Sequence, residues 1–229
     1  MIWRHEEKYL LTPDEAADIR ARISRRMTAD SHYEAGLYTI CSMYFDDDRL
    51  SAVAEKADGL SVHTKYRIRT YNWDGSRISL EKKIKKGVMT QKESALISIE
   101  DYAAIMRGMP VLPGKDEKAA ELWQAMRLAR LKPKRIVVYD RQAFSMLPLD
   151  VRVTFDTEVS GLMPDPRFLV SGKTLARGTP ALQKGMVIME VKYDKYLPYD
   201  IRMLTQGRTM QTSFSKYAAC MANSGLITF

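Results

Sequence analysis

The sequence is poor in the residues that most often announce chemistry. It holds two cysteines, Cys41 and Cys220, far apart and in no Cys-x-x-Cys pair. That argues against a disulfide framework or a structural zinc site and fits a reducing compartment. The three histidines, His5, His32 and His63, have no metal-ligand spacing, so each is expected on the surface or in packing. No GxxxxGKS or GxxxxGKT loop, GxGxxG turn or HExxH helix occurs, and no Ser-His-Asp set can be picked out. Nucleophilic catalysis has no support. No apolar run approaches the ~20 residues that cross a bilayer. The start, from Met1 and Ile2 through Arg4, His5, Glu6, Glu7 and Lys8, is too charged for a signal peptide. A soluble cytoplasmic protein without a membrane segment is expected. Repeats, low-complexity stretches and a clean linker are also missing, which predicts one domain over residues 1–229.

What the chain does have is charge. Lys and Arg total 36 against 28 Asp and Glu, a formal net charge of +8, alongside 45% hydrophobic residues. The second figure suffices for a real core; the first favours anionic partners. The charges are also patterned. In Val151-Arg152-Val153-Thr154-Phe155-Asp156 the apolar residues alternate with polar ones. Successive side chains of a strand face opposite sides of the sheet, so Arg152, Thr154 and Asp156 share a face. The same parity joins Arg67 with Arg69, Glu81 with Lys83 and Lys85, Glu190 with Lys192, and Arg4 with Glu6 and Lys8.

Strands are expected at about 2–11, 38–45, 62–72, 77–86, 90–98, 134–144, 149–159 and 186–194. Thr12-Pro13-Asp14-Glu15 signals a helix start, with a capping box and a proline in the first turn. That helix is expected to reach about Met27, with Ala16, Ile19, Ile23 and Met27 as its apolar stripe. Residues 49–60 read as a short helix or loop, 99–107 as a helix, and 160–185 as containing a loop. A helix over 116–131 would pack through Ala120, Trp123, Met126, Leu128 and Leu131. A short terminal helix is expected over 213–223. The hairpin-like spacing between 62 and 98 favours antiparallel pairing, without strand–helix alternation. The fold class is therefore α+β: a closed antiparallel barrel with helices packed outside. It is inverted, with apolar residues outward under the helices and charged residues toward the centre.

Like charges across a sheet repel, so several strands with Arg or Lys on one face need counter-charge. A salt-laced face of an open sheet is the plain alternative. In the closed arrangement the forks of Arg67, Arg69, Arg141 and Arg152 suit phosphate, and Lys83, Lys85 and Lys92 add point charges. Glu6, Glu81, Asp156 and Glu190 interleave with them. Mg²⁺ and Mn²⁺ take oxygen ligands and often sit between carboxylates and substrate phosphates. Glu190 is the leading candidate ligand, with Glu6 second; a salt bridge to a neighbouring base accounts for Glu190 equally well on spacing.

These residues also carry a resemblance. Arg4-x-Glu6-x-Lys8-Tyr9 resembles the opening strand of the polyphosphate polymerase (VTC) domain, a divergent branch of the CYTH or triphosphate tunnel metalloenzymes. The superfamily's usual ExExK is altered, with Arg4 in place of the first Glu. The likeness continues in order through Tyr44-Phe45-Asp46, Tyr66-Arg67-Ile68-Arg69, Leu80-Glu81-Lys82-Lys83 with Lys92, and Tyr139-Asp140-Arg141-x-Ala143-Phe144. It ends with Val151 to Asp156, Glu190-Val191-Lys192 and Ser215-Lys216-Tyr217. It implies an eight-stranded antiparallel tunnel and ATP-dependent polyphosphate synthesis with Mn²⁺ or Mg²⁺. It further implies that Lys8, Arg67, Arg69, Lys83, Lys92, Arg141, Arg152 and Lys216 bind nucleotide triphosphate and chain, with Glu190 on the metal. Lys85 and Lys192 join that set by parity. Of these, Arg67, Arg69, Arg141, Arg152 and Lys216 are the expected catalytic group.

The ligands so implied are ATP, polyphosphate, pyrophosphate or triphosphate. An inorganic triphosphatase or polyphosphatase would need the same tunnel plus a positioned water. A binding module for polyphosphate, inositol phosphates or RNA would need no turnover. RNA is disfavoured because Tyr66 lies on the face opposite Arg67 and Arg69, which separates stacking from phosphate contact. A nucleotide cyclase is disfavoured by the altered first strand. Product is expected to leave the tunnel opposite the nucleotide.

Overall fold

The computed structural model describes residues 2–30, 36–57, 61–110, 116–169, 177–205 and 210–223. In chain order the elements are β1 (Arg4–Leu11), α1 (Pro13–Ile23), β2 (Thr28–Ala29), β3 (Leu37–Asp46), α2 (Ser51–Ala57), β4 (Val62–Tyr71), β5 (Asp74–Lys86) and β6 (Met89–Ile97). Then come α3 (Ile99–Met106), α4 (Glu117–Leu128), β7 (Lys132–Met146), β8 (Val151–Leu162), β9 (Thr179–Pro180), β10 (Val187–Tyr193), α5 (Tyr199–Thr205), β11 (Met210–Gln211) and α6 (Lys216–Ala222). Eight of the strands form a ring in the order β7-β3-β4-β5-β6-β1-β10-β8, and β8 pairs back onto β7. The pairings are antiparallel throughout. The α+β class and the closed arrangement both hold. The narrowest seam joins β1 to β6 through Arg4↔Thr90 and His5↔Met89. A backbone bond from Glu6 to the Val88 carbonyl (3.2 Å) extends it.

The strands are also inside out, as their alternation predicts. Outward residues of β3 to β7 (Met43, Phe45, Ile68, Leu80, Ile136) form a core with Tyr102 of α3 and Leu122, Trp123 and Met126 of α4. Outward residues of β1, β8 and β10 (Leu11, Val153, Phe155, Val191) form another with Ile19 and Ile23 of α1 and Ile201 of α5. Each such fully buried side chain contributes roughly 1.5–3 kcal/mol, enough to fix which face turns outward.

The local signals explain the helix starts. Glu15 N–H donates to Thr12 Oγ1 (3.3 Å), and Thr12 N–H donates to Glu15 Oε2 (2.8 Å). The end of α1 differs from expectation: it stops at Ile23, because the chain must extend so that β2 can pair with β7 at Thr28↔Ser145 and Ala29↔Phe144. Met27 is still buried, outside the helix. The stripe of α4 is shifted: Ala119, Leu122, Trp123 and Met126 are buried, while Leu128 is 77% exposed. The helix ends there, and Arg130 turns the chain with a φ of 54°. The strand expected to end at 159 continues to Leu162 and pairs with β9. Among the described residues no helix is long and apolar enough to cross a membrane.

One expectation needs a larger correction. The terminal helix does not pack on the outer face with α1, α3, α4 and α5; like Ala52 and Val53 of α2, it packs on the inward side. Tyr217, Ala218, Cys220 and Met221 of α6 join inward residues of the ring, including Tyr44, Val137, Tyr139 and Val159. The ring interior is thus divided between a charged part and an apolar part that receives α6. Gly161 shows how close the fit is: a Cβ there would lie 2.8 Å from Cys220 Cβ and 3.0 Å from Arg135 Nε. Gly161→Ala is expected to destabilise the fold by about 1–3 kcal/mol through this overlap. Urea unfolding measures it, and an unchanged midpoint would show that α6 shifts freely.

Candidate functional site: a basic cavity inside the ring

The charged part of the interior is a cavity. From β4 it receives His63, Lys65, Arg67 and Arg69; from β5, Lys83 and Lys85; from β1, Glu6 and Lys8. Tyr139 and Arg141 of β7, Glu190 and Lys192 of β10, and Tyr44 of β3 complete the strand contributions. The segment from Ser213 to Tyr217, leading into α6, forms the remaining wall. Nine of these side chains are formally cationic and two are carboxylates. Glu81 and Asp156 stand behind the lining and are bound to it, and they leave the excess strongly positive.

Three sets of ion pairs hold the bases in place. Arg67 grips Glu81 with two nitrogens, Nε at 2.7 Å and Nη2 at 2.6 Å, and donates from Nη1 to Tyr44 Oη at 2.9 Å. Arg69 donates to Ser42 Oγ and Tyr139 Oη, both at 3.2 Å. Arg141 binds both oxygens of Asp156 at 2.6 and 2.7 Å. Lys216 bridges Asp156 (2.6 Å) and Glu190 (2.8 Å). Glu6 receives Lys83 at 2.6 and 2.7 Å. Between the last two sets, Lys8 lies 3.5 Å from Glu6 and 3.7 Å from Glu190, and Lys192 lies 3.6 and 3.3 Å from the same two acids.

This crowding sets the protonation states. Burial would raise the Glu190 carboxyl, but Lys216, Lys192, Lys8 and Arg141 outweigh it and hold the group well below its ordinary range. Glu6 is likewise held down against burial by Lys83, Lys192 and Lys8, and Glu81 by Arg67, Arg69 and Lys92. Burial lowers Lys216, yet Asp156 and Glu190 reverse the effect and raise it. Lys83 goes the other way. Burial pushes its ammonium down to about 7, with Lys8 and Lys192 adding to the effect while Glu6 and Glu190 oppose it.

Lys83 therefore titrates near neutrality, with a testable sign. Its folded pKa lies below the unfolded one, so stability from this group rises with pH from about 7 to about 10.4. An anion in the cavity favours the charged form. Triphosphate binding just above neutrality is expected to take up a proton and to weaken as pH rises. Calorimetry in two buffers of different ionisation heat reads the uptake directly. Lys83→Met is expected to abolish it; uptake that persists in this variant would assign the proton elsewhere.

The cavity brings together Lys8, Arg67, Arg69, Lys83, Lys85, Arg141, Lys192, Lys216, Glu6 and Glu190 from the sequence-derived set. Lys83 and Lys85 share the inward face with Glu81, whereas Lys82 pairs with Glu93. Two members lie outside the lining. Lys92 reaches Glu81 at 3.1 Å with its side chain 49% exposed. Arg152 is taken by Asp30. Sequence reasoning did not count Lys65, His63, Tyr44, Tyr139 or Tyr217. The signal for Lys65 and His63 was present, since both share the parity of Arg67. His63 thus lines the cavity rather than the surface or a packed core. Lys65 bonds Ser215 Oγ at 2.8 Å, and Lys8 bonds the Phe214 carbonyl at 3.0 Å. Tyr44 stacks on Tyr217 with ring centroids 4.8 Å apart.

Among the described residues, no three His, Cys, Asp or Glu side chains are grouped to hold a metal by themselves. Glu6 and Glu190, which face the same two ammonium groups, supply two carboxylates. That donor set does not make a protein-only cage. It does fit a small divalent ion that takes its other oxygens from phosphate and water.

No curated protein matches the sequence. Among solved structures, the PH1819 protein of Pyrococcus horikoshii OT3 is 12% identical, with a TM-score of 0.48 over 96% of this chain and 97% of its own. A candidate adenylate cyclase of Bacillus halodurans is 12% identical, with a TM-score of 0.46 over 89% and 87%. The PH1012 protein of Pyrococcus horikoshii OT3 is 9% identical, with a TM-score of 0.43 over 88% and 84%. Likeness this distant says nothing about activity. The sequence match is broader in consequence: the VTC domain spans residues 3–224 and takes in every residue that lines the cavity, so the chain belongs to the VTC domain family.

Proposed function

We propose that the chain is an ATP-dependent polyphosphate polymerase, moving the γ-phosphoryl group of ATP onto a phosphate chain held in the cavity. The carrying observation is a cavity lined by nine bases and two carboxylates. Membership of the VTC domain family supports the same chemistry. The acceptor is a phosphate oxygen already ionised near neutral pH, so no general base is needed to create it. The barrier is repulsion between two polyanions, which alignment and fixed positive charge reduce. Arg67, Arg69 and Arg141 present guanidinium groups whose orientation Glu81, Ser42, Tyr139 and Asp156 fix before ligand arrives. Lys216, held by two acids, stays charged through the reaction. Lys8, Lys85 and Lys192 neutralise neighbouring phosphates. A bound Mn²⁺ or Mg²⁺, held by Glu190 with Glu6 beside it, would supply charge neutralisation between phosphates. Tyr66 packs against the outer core, away from the cavity cations.

Incubation with ATP and Mn²⁺ is expected to yield ADP and polyphosphate. Free phosphate as the main product would make the protein a triphosphatase, and no turnover would make it a binding module. Glu190→Gln is expected to raise the metal concentration needed for half-maximal rate by about tenfold or more. An unchanged metal dependence would remove Glu190 from the ligand set.

A further inference from the structure

Arg152 faces inward on β8 with Thr154 and Asp156, and its cross-strand partner on β10 is Lys192, which lines the cavity. It is the next inward cation past the lining along this part of the ring. Its guanidinium, however, already has an anion. Arg152 Nη2 binds Asp30 Oδ2 and also donates to Tyr38 Oη at 3.2 Å. Tyr38 in turn reaches Asp30 at 3.5 Å. The acid comes from a short strand added to the sheet: Asp30 follows β2, which pairs with β7, and its N–H bonds the Ala143 carbonyl at 2.8 Å. The short strand thus delivers one carboxylate to a base that otherwise continues the row of phosphate-binding cations.

The pair is unlike those deeper in the ring. The Arg152 side chain is 40% exposed, whereas Arg141 and Asp156 are almost fully buried. The Asp30 side chain is 13% exposed, so the accessible half of the pair is the guanidinium, and it is there that another anion can compete. Phosphate offers the guanidinium fork the same geometry as carboxylate with more charge. We infer that Asp30 is a chain-length gate: it holds the anion position of Arg152, and a phosphate chain that runs past Lys192 must displace it to gain that cation. Neither Arg152 nor Asp30 is among the residues that line the cavity, which a triphosphate would occupy first. The inference rests on the reading that the cavity binds condensed phosphate.

The test compares triphosphate and long-chain polyphosphate binding to the intact protein and to Asp30→Asn. Asparagine keeps the shape and a hydrogen-bond acceptor for Tyr38, so the fold is retained. Long-chain affinity is expected to rise about tenfold, and triphosphate affinity to stay within about twofold. Adding Arg152→Met to Asp30→Asn is expected to erase the gain. Equal gains for both ligands would make Asp30 a general contributor to the cavity field, and no gain would make the pair purely structural; either overturns the gate. If the unaltered protein binds neither ligand, the reading of the cavity itself fails.

Discussion

Arg67→Met is expected to cost the fold about 3–5 kcal/mol and to lower triphosphate affinity at least about a hundredfold, and only the first loss is expected to be reversible by a second substitution. Arg67 and Glu81 form a two-point pair at 2.6 and 2.7 Å, and Glu81 is buried. Removing the guanidinium leaves that carboxylate with Lys92, which is half in solvent, and with Arg69 at 3.9 Å. An acid stranded this way is costly, whereas replacing both partners by apolar groups is often neutral. Arg67→Met with Glu81→Leu is therefore expected to recover most of the stability. It cannot recover the ligand, because the cation is still missing from the cavity. Chemical denaturation and triphosphate calorimetry on the two variants separate these effects. Recovery of affinity in the double variant would mean that Arg67 serves the fold alone.

This double role explains what the sequence could and could not disclose. Period-two alternation sorts every long strand into two faces, and a sorted face is enough to bring Glu6, Lys8, Arg67, Arg69, Glu190 and Lys192 into one space once the sheet closes. It also settles Lys83 and Lys85 against Lys82, because parity is a property of the local chain. Pairing is different. Asp30 meets Arg152 across 122 residues, and the strand that precedes Asp30 has only two residues, too few for any period. The helix α6 shows a second limit. An apolar stripe says that a helix covers something, but it does not say which side of the sheet. Here the deciding feature is the change of inward residues from charged to apolar at Val137, Val159 and Gly161, which leaves room for Cys220 and Met221. Such a change is visible only when the strands' neighbours are known.

The start of α6 carries the other large effect. Lys216 is the cation that ties this helix to the ring, at 2.6 Å from Asp156 on β8 and 2.8 Å from Glu190 on β10. Lys216→Met is expected to destabilise the protein by about 3–5 kcal/mol, because two buried carboxylates lose a shared partner. Its acid behaviour gives the diagnostic sign. Asp156 and Glu190 are held below their unfolded pKa values, with Lys216 among the causes for both. Their contribution is therefore fully present above the ordinary carboxylate range and is lost as pH falls through the depressed folded values. Without Lys216 those folded values move upward, so acid unfolding is expected to begin at a higher pH. Arg141 still reaches both acids, at 2.6 Å for Asp156 and 3.4 Å for Glu190, so the rise is partial and the ring still closes at neutral pH. Triphosphate affinity at neutral pH is expected to fall more than stability alone explains, since Lys216 also faces the cavity. An acid midpoint identical to that of the unaltered protein would show that the remaining cations, Arg141 at Asp156 and Lys192, Lys8 and Arg141 at Glu190, set the state of both carboxylates, and that α6 is held by packing of Tyr217 and Cys220 instead.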